Sequence, residues 1–291
     1  MQSPLLRTQL RRLFGQFRLS PADHSTTAEA PKNNAEFTDA SNLQTFNILN
    51  RAMSSTEIPV VIPTFNNVTY CKNMIEQLRE RGALEIIVFD NASTHKPMRK
   101  FLASPPKHVS VFAGAENLGP FHAIMNPMCL ALLPNYFCVT DPDLEFGSDM
   151  PNSFLRELAQ LTHRFKVGKA GLALDISDRE LMHQKEFPMA TGPFTIWDWE
   201  KQFWKKSVGT TTGGDPIYRA PIDTTLAVYN KLYYRPKKYW DAVRVAGRYT
   251  CKHLPWYKSN GLPAEEETYY RSRATRSYYL SDQVPIADAN R

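Results

Sequence analysis

The chain is poor in cysteine, with four in 291 residues, and none of them falls into a metal-binding spacing. Cys71, Cys129 and Cys138 sit in apolar stretches, and Cys251 stands far from all three. That pattern excludes a zinc finger and a disulfide-stapled scaffold, and it predicts reduced thiols, mostly buried, in a reducing compartment. Long apolar runs are missing too. No stretch approaches the roughly 20 residues needed to span a bilayer, and the N-terminus lacks the continuous apolar segment of a signal peptide. The expected location is therefore the cytoplasm. There is no internal repeat, no Cys/His finger spacing and no aromatic-rich repeat of the kind that marks nucleic-acid modules. The net charge of +6 suits an anionic partner such as a nucleotide or a phosphorylated lipid. The basic residues are scattered rather than grouped on one motif, so nucleic acid is not the expected partner. A glycine-rich loop running into a basic residue is also absent, which counts against a nucleotidyltransferase.

What is present divides into three zones: residues 1–56, 57–258 and 259–291. In the first, Leu5, Leu6, Leu10, Leu13, Phe14 and Phe17 interleave with Arg7, Arg11, Arg12 and Arg18, and no acid precedes Asp23. Such a basic amphipathic stretch over residues 1–20 fits peripheral contact with the inner face of an anionic membrane, an organelle transit segment or a mobile tail. The polar run from Ser20 to Ser41 reads as a linker. Residues 259–291 read as a C-terminal tail.

The middle zone alternates apolar strands with helices. Ile58 to Ile62 reads as a buried strand closed by Pro63. Asn67 can cap a helix that buries Val68, Cys71, Met74, Ile75 and Leu78 and ends at Gly82. Further strands are expected at Leu84–Phe89, Val109–Phe112, Phe137–Val139 and Ala170–Leu174, with helices at about Phe121–Leu133 and Phe154–Leu161. This order predicts an α/β fold with a mainly parallel sheet flanked by helices. Beyond Asp175 the periodicity fades, and tryptophans, glycines and prolines predict an irregular region.

The segment Phe137-Cys138-Val139-Thr140-Asp141-Pro142-Asp143 carries the most chemistry. An apolar strand ends in two carboxylates two residues apart, so that both can converge on one point. Acids at the carboxyl edge of a parallel sheet stand where open α/β folds bind ligands. Hard oxygen donors there suit Mg²⁺ or Mn²⁺. An acidic turn after an edge strand is the plainer alternative.

Five pieces then occur in an order that resembles the GT-A glycosyltransferases, and among them the inverting family 2 enzymes. They are Pro63-Thr64-Phe65-Asn66, Asp90-Asn91-Ala92-Ser93, Glu116-Asn117-Leu118-Gly119 with Ala123 behind it, Asp141-Pro142-Asp143, and His253-Leu254-Pro255-Trp256-Tyr257. The resemblance implies a GT-A fold with an acceptor-side region toward the C-terminus. It also implies a nucleotide-diphosphate sugar donor and a glycan, lipid-linked or protein acceptor. It assigns the nucleotide sugar to Pro63, Thr64, Asn66, Asp90, Asn117, Gly119 and Asp141, and the metal to Asp141, Asp143 and His253. Asp90 can equally cap its own turn, Gly119 can be present for backbone freedom alone, and His253 beside Trp256 can be structural. The family's general base falls in a Glu-Asp pair, and here Pro221-Ile222-Asp223-Thr224 supplies only the Asp. Asp223 is thus the first candidate base, or a helix cap, and Asp198 with Glu200 between tryptophans is the second. The processive enzymes' Gln-x-x-Arg-Trp motif is absent, which predicts one sugar per encounter. A catalytically silent nucleotide- or sugar-binding module is the remaining alternative.

Overall fold

A computed structural model describes residues 57–186, 193–238 and 240–273. The basic stretch over residues 1–20, the linker after it and residues 274–291 lie outside the described residues. In chain order the strands are β1 (Val60–Thr64), β2 (Ile86–Asp90), β3 (Val109–Ala113), β4 (Tyr136–Val139), β5 (Leu144–Phe146), β6 (Lys169–Leu174), β7 (Ser207–Thr210), β8 (Pro216–Arg219), β9 (Ala227–Asn230) and β10 (Ala242–His253). The helices are α1 (Val68–Glu80), α2 (Lys96–Ala103), α3 (His122–Met125), α4 (Pro127–Leu132), α5 (Phe154–Phe165), α6 (Ile196–Glu200) and α7 (Ala264–Arg273).

All these strands join one sheet in the order β3-β2-β1-β4-β9-β6-β10-β8-β7, with β5 paired to β10. The first four are parallel, as the strand–helix alternation requires. Each alternates between two cores. Val60, Ile62, Ile86, Val88 and Cys138 face one side, while Val61, Ile87, Phe89, Phe137 and Val139 face the other. Burial on both faces explains why these strands read as unbroken apolar runs.

Pro63 lies within β1 rather than closing it, opposite Phe89 of β2. Pairing of β1 with β4 involves only Val60 and Val61, so the proline, which has no amide hydrogen, stands past that ladder. Helix α1 forms as its sequence predicts. The Asn67 side chain accepts from Tyr70 N at 3.2 Å, and Gly82 adopts φ +79 just past the last turn. The apolar stretch 121–133 forms two short helices instead of one, because Pro127 cannot continue a helix from the residues before it.

The second half holds more regular structure than its composition predicts. Strand β9 inserts antiparallel between β4 and β6 in the middle of the sheet, so the sheet is mixed, with its parallel block on the β3–β4 side. Gly171 allows that insertion. A Cβ there would meet Leu226 O at 2.2 Å. Strand β10 runs parallel to β6 but shifts register between Val245 and Thr250, around Gly247 at φ +65. Its first half pairs with β8 and its last three residues pair with β5, where His253 opposes Leu144. The stretch expected as a C-terminal tail, residues 259–291, includes α7, whose buried Glu266 accepts from Thr69 N at 2.9 Å and from Thr69 Oγ1 at 2.6 Å. No helix among the described residues is long and apolar enough to cross a membrane. All four cysteines are free thiols, three of them buried and Cys129 half-buried.

Candidate active site

The two acids sit in the connection from β4 to β5, not in extended strand, and the return of β10 brings a third residue to them. Leu254 N donates to Asp143 O at 2.9 Å, which holds the end of β10 against the acidic turn. One oxygen each of Asp141 and Asp143 and one ring nitrogen of His253 all lie within 4.8 Å of one another. His253 Nε2 stands 3.4 Å from Asp143 Oδ1, and the two side chains are 18% and 20% exposed, so the cluster is sheltered yet reachable.

Electrostatically the cluster is under-satisfied. Asp143 Oδ1 and His253 Nδ1 are buried with no hydrogen-bond partner among the described residues. Burial pushes the Asp141 carboxyl well above the usual carboxylate range, and the Asp143 charge adds to it. Burial raises Asp143 also, with Asp223 contributing. Burial lowers the His253 imidazole, which favours the neutral, metal-ligating form. A pair of crowded carboxylates with an orphaned oxygen, next to a neutral imidazole with an orphaned nitrogen, fits a divalent cation. His253 also packs against Trp256, ring centroids 4.9 Å apart, so the indole orients the imidazole.

The structure brings Asp223 to this cluster. Asp141 N donates to Thr224 O at 3.0 Å, and Thr224 Oγ1 donates to Asp141 Oδ2 at 2.6 Å. Thr224 N in turn donates to Asp223 Oδ1. Asp223 heads no helix in the structure, which removes the helix-cap reading. Asp198 is occupied elsewhere. It closes the capping box of α6 with Thr195, and its Oδ1 accepts from Lys201 Nζ at 2.6 Å. Lys201 and Thr195 hold its carboxyl down to about 2, which makes it a poor proton acceptor. Glu200 is buried in an ion pair with Arg244.

At the other strand ends, Asn66 stitches two loops together. Its Oδ1 accepts from Thr94 N at 2.7 Å and His95 N at 2.8 Å, and its backbone N donates to Ser93 Oγ at 2.7 Å. It sits at φ +57, a conformation Asn tolerates better than most residues. Asp90, buried at the end of β2, accepts from Ser93 N at 3.1 Å and so caps its own turn. Burial raises its carboxyl, opposed by the bonds from Ser93. Thr64 is buried beside it at the end of β1. Asn117 Oδ1 accepts from Gly119 N at 3.0 Å, and Gly119 takes φ +81, which a side chain would strain. Asn91 Oδ1 accepts from Leu118 N at 3.2 Å, tying this loop to the one after β2. Pro63, Thr64, Asn66, Asp90, Asn117 and Gly119 thus line the ends of β1, β2 and β3. The helix expected behind Gly119 is only four residues long, too short to present a strong dipole.

Compared with known families, residues 60–219 match the model of glycosyl transferase family 2. The chain belongs to glycosyl transferase family 2. Its central domain is therefore a glycosyltransferase domain with an α/β fold, as the motif order predicts. No curated protein sequence matches the chain. Among solved structures it is similar to GalNAc-T7 with UDP, GalNAc and Mn²⁺, at 13% identity and a TM-score of 0.44, covering 74% of this chain and 48% of that one. It is similar also to S. aureus TarS 1-349, at 14% identity and a TM-score of 0.33, covering 62% of this chain and 51% of that one. This family 2 chain thus spans about half the length of those two chains.

The family match stops at residue 219, before several residues that the structure gathers around the acids. Thr224 and Arg244 lie beyond it and Lys169 lies within it, and no motif announces any of the three. The one signal was a lysine opening an otherwise apolar strand, and a charge at that position is rare unless it is paired or bonded.

Proposed function

We propose that this family 2 domain transfers a sugar from a nucleoside-diphosphate donor to an acceptor hydroxyl, with inversion and one sugar per encounter. The observation that carries the reading is the convergence of Asp141, Asp143 and His253 within 4.8 Å, with Asp223 joined to them through Thr224. Asp143 and His253, with Asp141, would hold a divalent cation, Mn²⁺ or Mg²⁺. When bound, it supplies neutralisation of the charge that grows on the diphosphate leaving group.

The remaining chemistry belongs to the chain. The loops after β1, β2 and β3, built on Thr64, Asn66, Asp90 and Asn117, would bind the nucleoside. Asp223 would take the proton of the acceptor hydroxyl as that oxygen bonds to the anomeric carbon. Its Oδ1 accepts from Thr224 N, and Oδ2 would then be the oxygen that takes the proton. Thr224, bridging Asp223 and Asp141, fixes the spacing between the proton acceptor and the donor diphosphate. UDP with Mn²⁺, a pair present in the GalNAc-T7 structure, is the first probe to use.

Calorimetric titration of UDP in the presence of Mn²⁺ tests the reading. Asp143→Asn keeps the shape of the side chain and removes its charge. Affinity for UDP with Mn²⁺ should fall at least about tenfold, or about 1.4 kcal/mol. Unchanged affinity overturns the metal-site reading.

A further inference from the structure

Beneath the loop that carries Asp223 lie two buried cations that none of the roles above employs. Lys169, the first residue of β6, is fully buried. Its Nζ donates to Ile222 O at 2.5 Å and reaches Asp223 O at 3.5 Å. The ammonium also stands 5.4 Å from the centroid of the Tyr229 ring, its cross-strand neighbour on β9. Arg244, on β10, is 5% exposed, and its Nε donates to Pro221 O at 2.6 Å. It is paired with the buried Glu200 and lies over the Phe203 ring at 4.5 Å. Three successive carbonyls, those of Pro221, Ile222 and Asp223, thus receive hydrogen bonds from two buried cations on adjacent strands.

Fold stability alone does not call for this arrangement. A buried ammonium is costly, and an apolar side chain of similar length in its place is often neutral or stabilising. The cost shows in Lys169, whose ammonium burial drives down to about 7, with the Asp223 carboxylate opposing the shift and Arg244 adding to it. A cation retained at such a cost, bonded to the backbone of a candidate base, has its effect on that backbone. Carbonyls aimed down at the cations turn the following peptide units, so that Thr224 N meets Asp223 Oδ1 and Thr224 Oγ1 meets Asp141.

We propose that Lys169 is a positioning residue, with Arg244 as its partner, that locks residues 221–224 so that Asp223 and the Thr224 bridge are held ready beside the acid pair. The inference rests on the reading of Asp223 as the base. Misplacing a reacting group by about 1 Å can cost roughly a hundredfold in rate, so losing the lock should lower turnover by about tenfold to a hundredfold. Binding of the donor diphosphate should change less than turnover, because Asp143 and His253 are held by β5 and β10 and only Asp141 is tied to the loop through Thr224.

The test is the Lys169→Met variant of the full chain, with three readouts. Hydrogen exchange over residues 222–225 should quicken at least tenfold while β1, β2 and β4 exchange as in the wild type. UDP release from a panel of UDP-hexoses and UDP-N-acetylhexosamines with Mn²⁺ should fall tenfold or more, while UDP affinity with Mn²⁺ stays within threefold. Lys169→Gln, which keeps a donor one atom shorter than the ammonium, should return exchange part-way toward the wild-type rate. Adding Lys169→Met to Asp223→Asn should lower turnover no further. Wild-type exchange in Lys169→Met, or additive losses in the double variant, overturns the positioning role. Failure of both Lys169 variants to fold also overturns it, by making the residue a general structural one. Full turnover in Asp223→Asn overturns the base assignment instead, and the exchange result separates that failure from this one.

Discussion

Removing the charge of Asp143 should stabilise the metal-free protein while abolishing its response to metal, and the first effect should depend on pH. Burial lifts the Asp143 carboxyl from an ordinary value of 3.8 to about 7. A carboxyl raised on folding binds more protons in the native state than in the unfolded chain, so stability falls as pH climbs between the two values. Near pH 8 the native protein carries the full penalty of an ionised, crowded carboxylate. At about 1.36 kcal/mol for each pH unit between those two values, the ceiling is about 4 kcal/mol. Near pH 5 the native carboxyl keeps its proton while the unfolded one has lost it, and less than half of that penalty is felt. Asp143→Asn removes the penalty and also the repulsion that Asp143 exerts on Asp141. In urea denaturation with EDTA, its advantage over the wild type should therefore be larger at pH 8 than at pH 5, by about 3 kcal/mol. Adding Mn²⁺ should raise the wild-type melting temperature by mass action and leave that of the variant nearly unmoved. Equal destabilisation of the variant at both pH values, with Mn²⁺ shifting both proteins alike, would refute the crowded-carboxylate account.

Three further outcomes follow from the geometry. Asp223→Asn should lower sugar transfer or donor hydrolysis by about a hundredfold to ten-thousandfold with UDP affinity intact, as kinetics and calorimetry together would show. Asp198→Asn should leave turnover within a few-fold and instead cost about 1 kcal/mol in denaturant unfolding, since it weakens a capping box. Gly171→Ala should destabilise by about 3 kcal/mol or fail to fold, because its Cβ would sit 2.2 Å from Leu226 O, an atom of backbone that cannot step aside; a wild-type denaturation midpoint would refute the close approach.

The first half of this fold is legible in the sequence because its signals are local. Val60 to Ile62, Ile86 to Phe89 and Phe137 to Val139 are apolar runs bounded by turn residues, and Asn67 and Gly82 bracket a helix with one apolar face. The acid pair is legible too, as two carboxylates at the end of such a run. Strand β9 is not. Ala227-Val228-Tyr229-Asn230 is four residues long, and its place in the sheet depends on β4 and β6, both far away in the chain. In β10, Arg244, Arg248 and Lys252 break the apolar pattern, and the bulge at Gly247 resets which face each residue takes. His253 could be named from motif order, but its approach to Asp143 follows from that bulge. Asp198 misleads for a related reason. An acid between tryptophans resembles a sugar site in one dimension, whereas in space it serves its own helix turn. Lys169 and Arg244 are read as surface charges by default, and only the fold shows carbonyls above them.

The central place of β9 has a consequence for how the protein is made. Strand β4 leaves the ribosome early, and the edge it later offers to β9 stays open until synthesis has reached Asn230. For all of that interval, an apolar strand with unpaired amides and carbonyls stands exposed, a template for pairing with any other chain. Nascent chains stalled after β4 has emerged from the ribosome and before β9 has should therefore be the aggregation-prone ones, and holdase chaperones would meet this protein at β4.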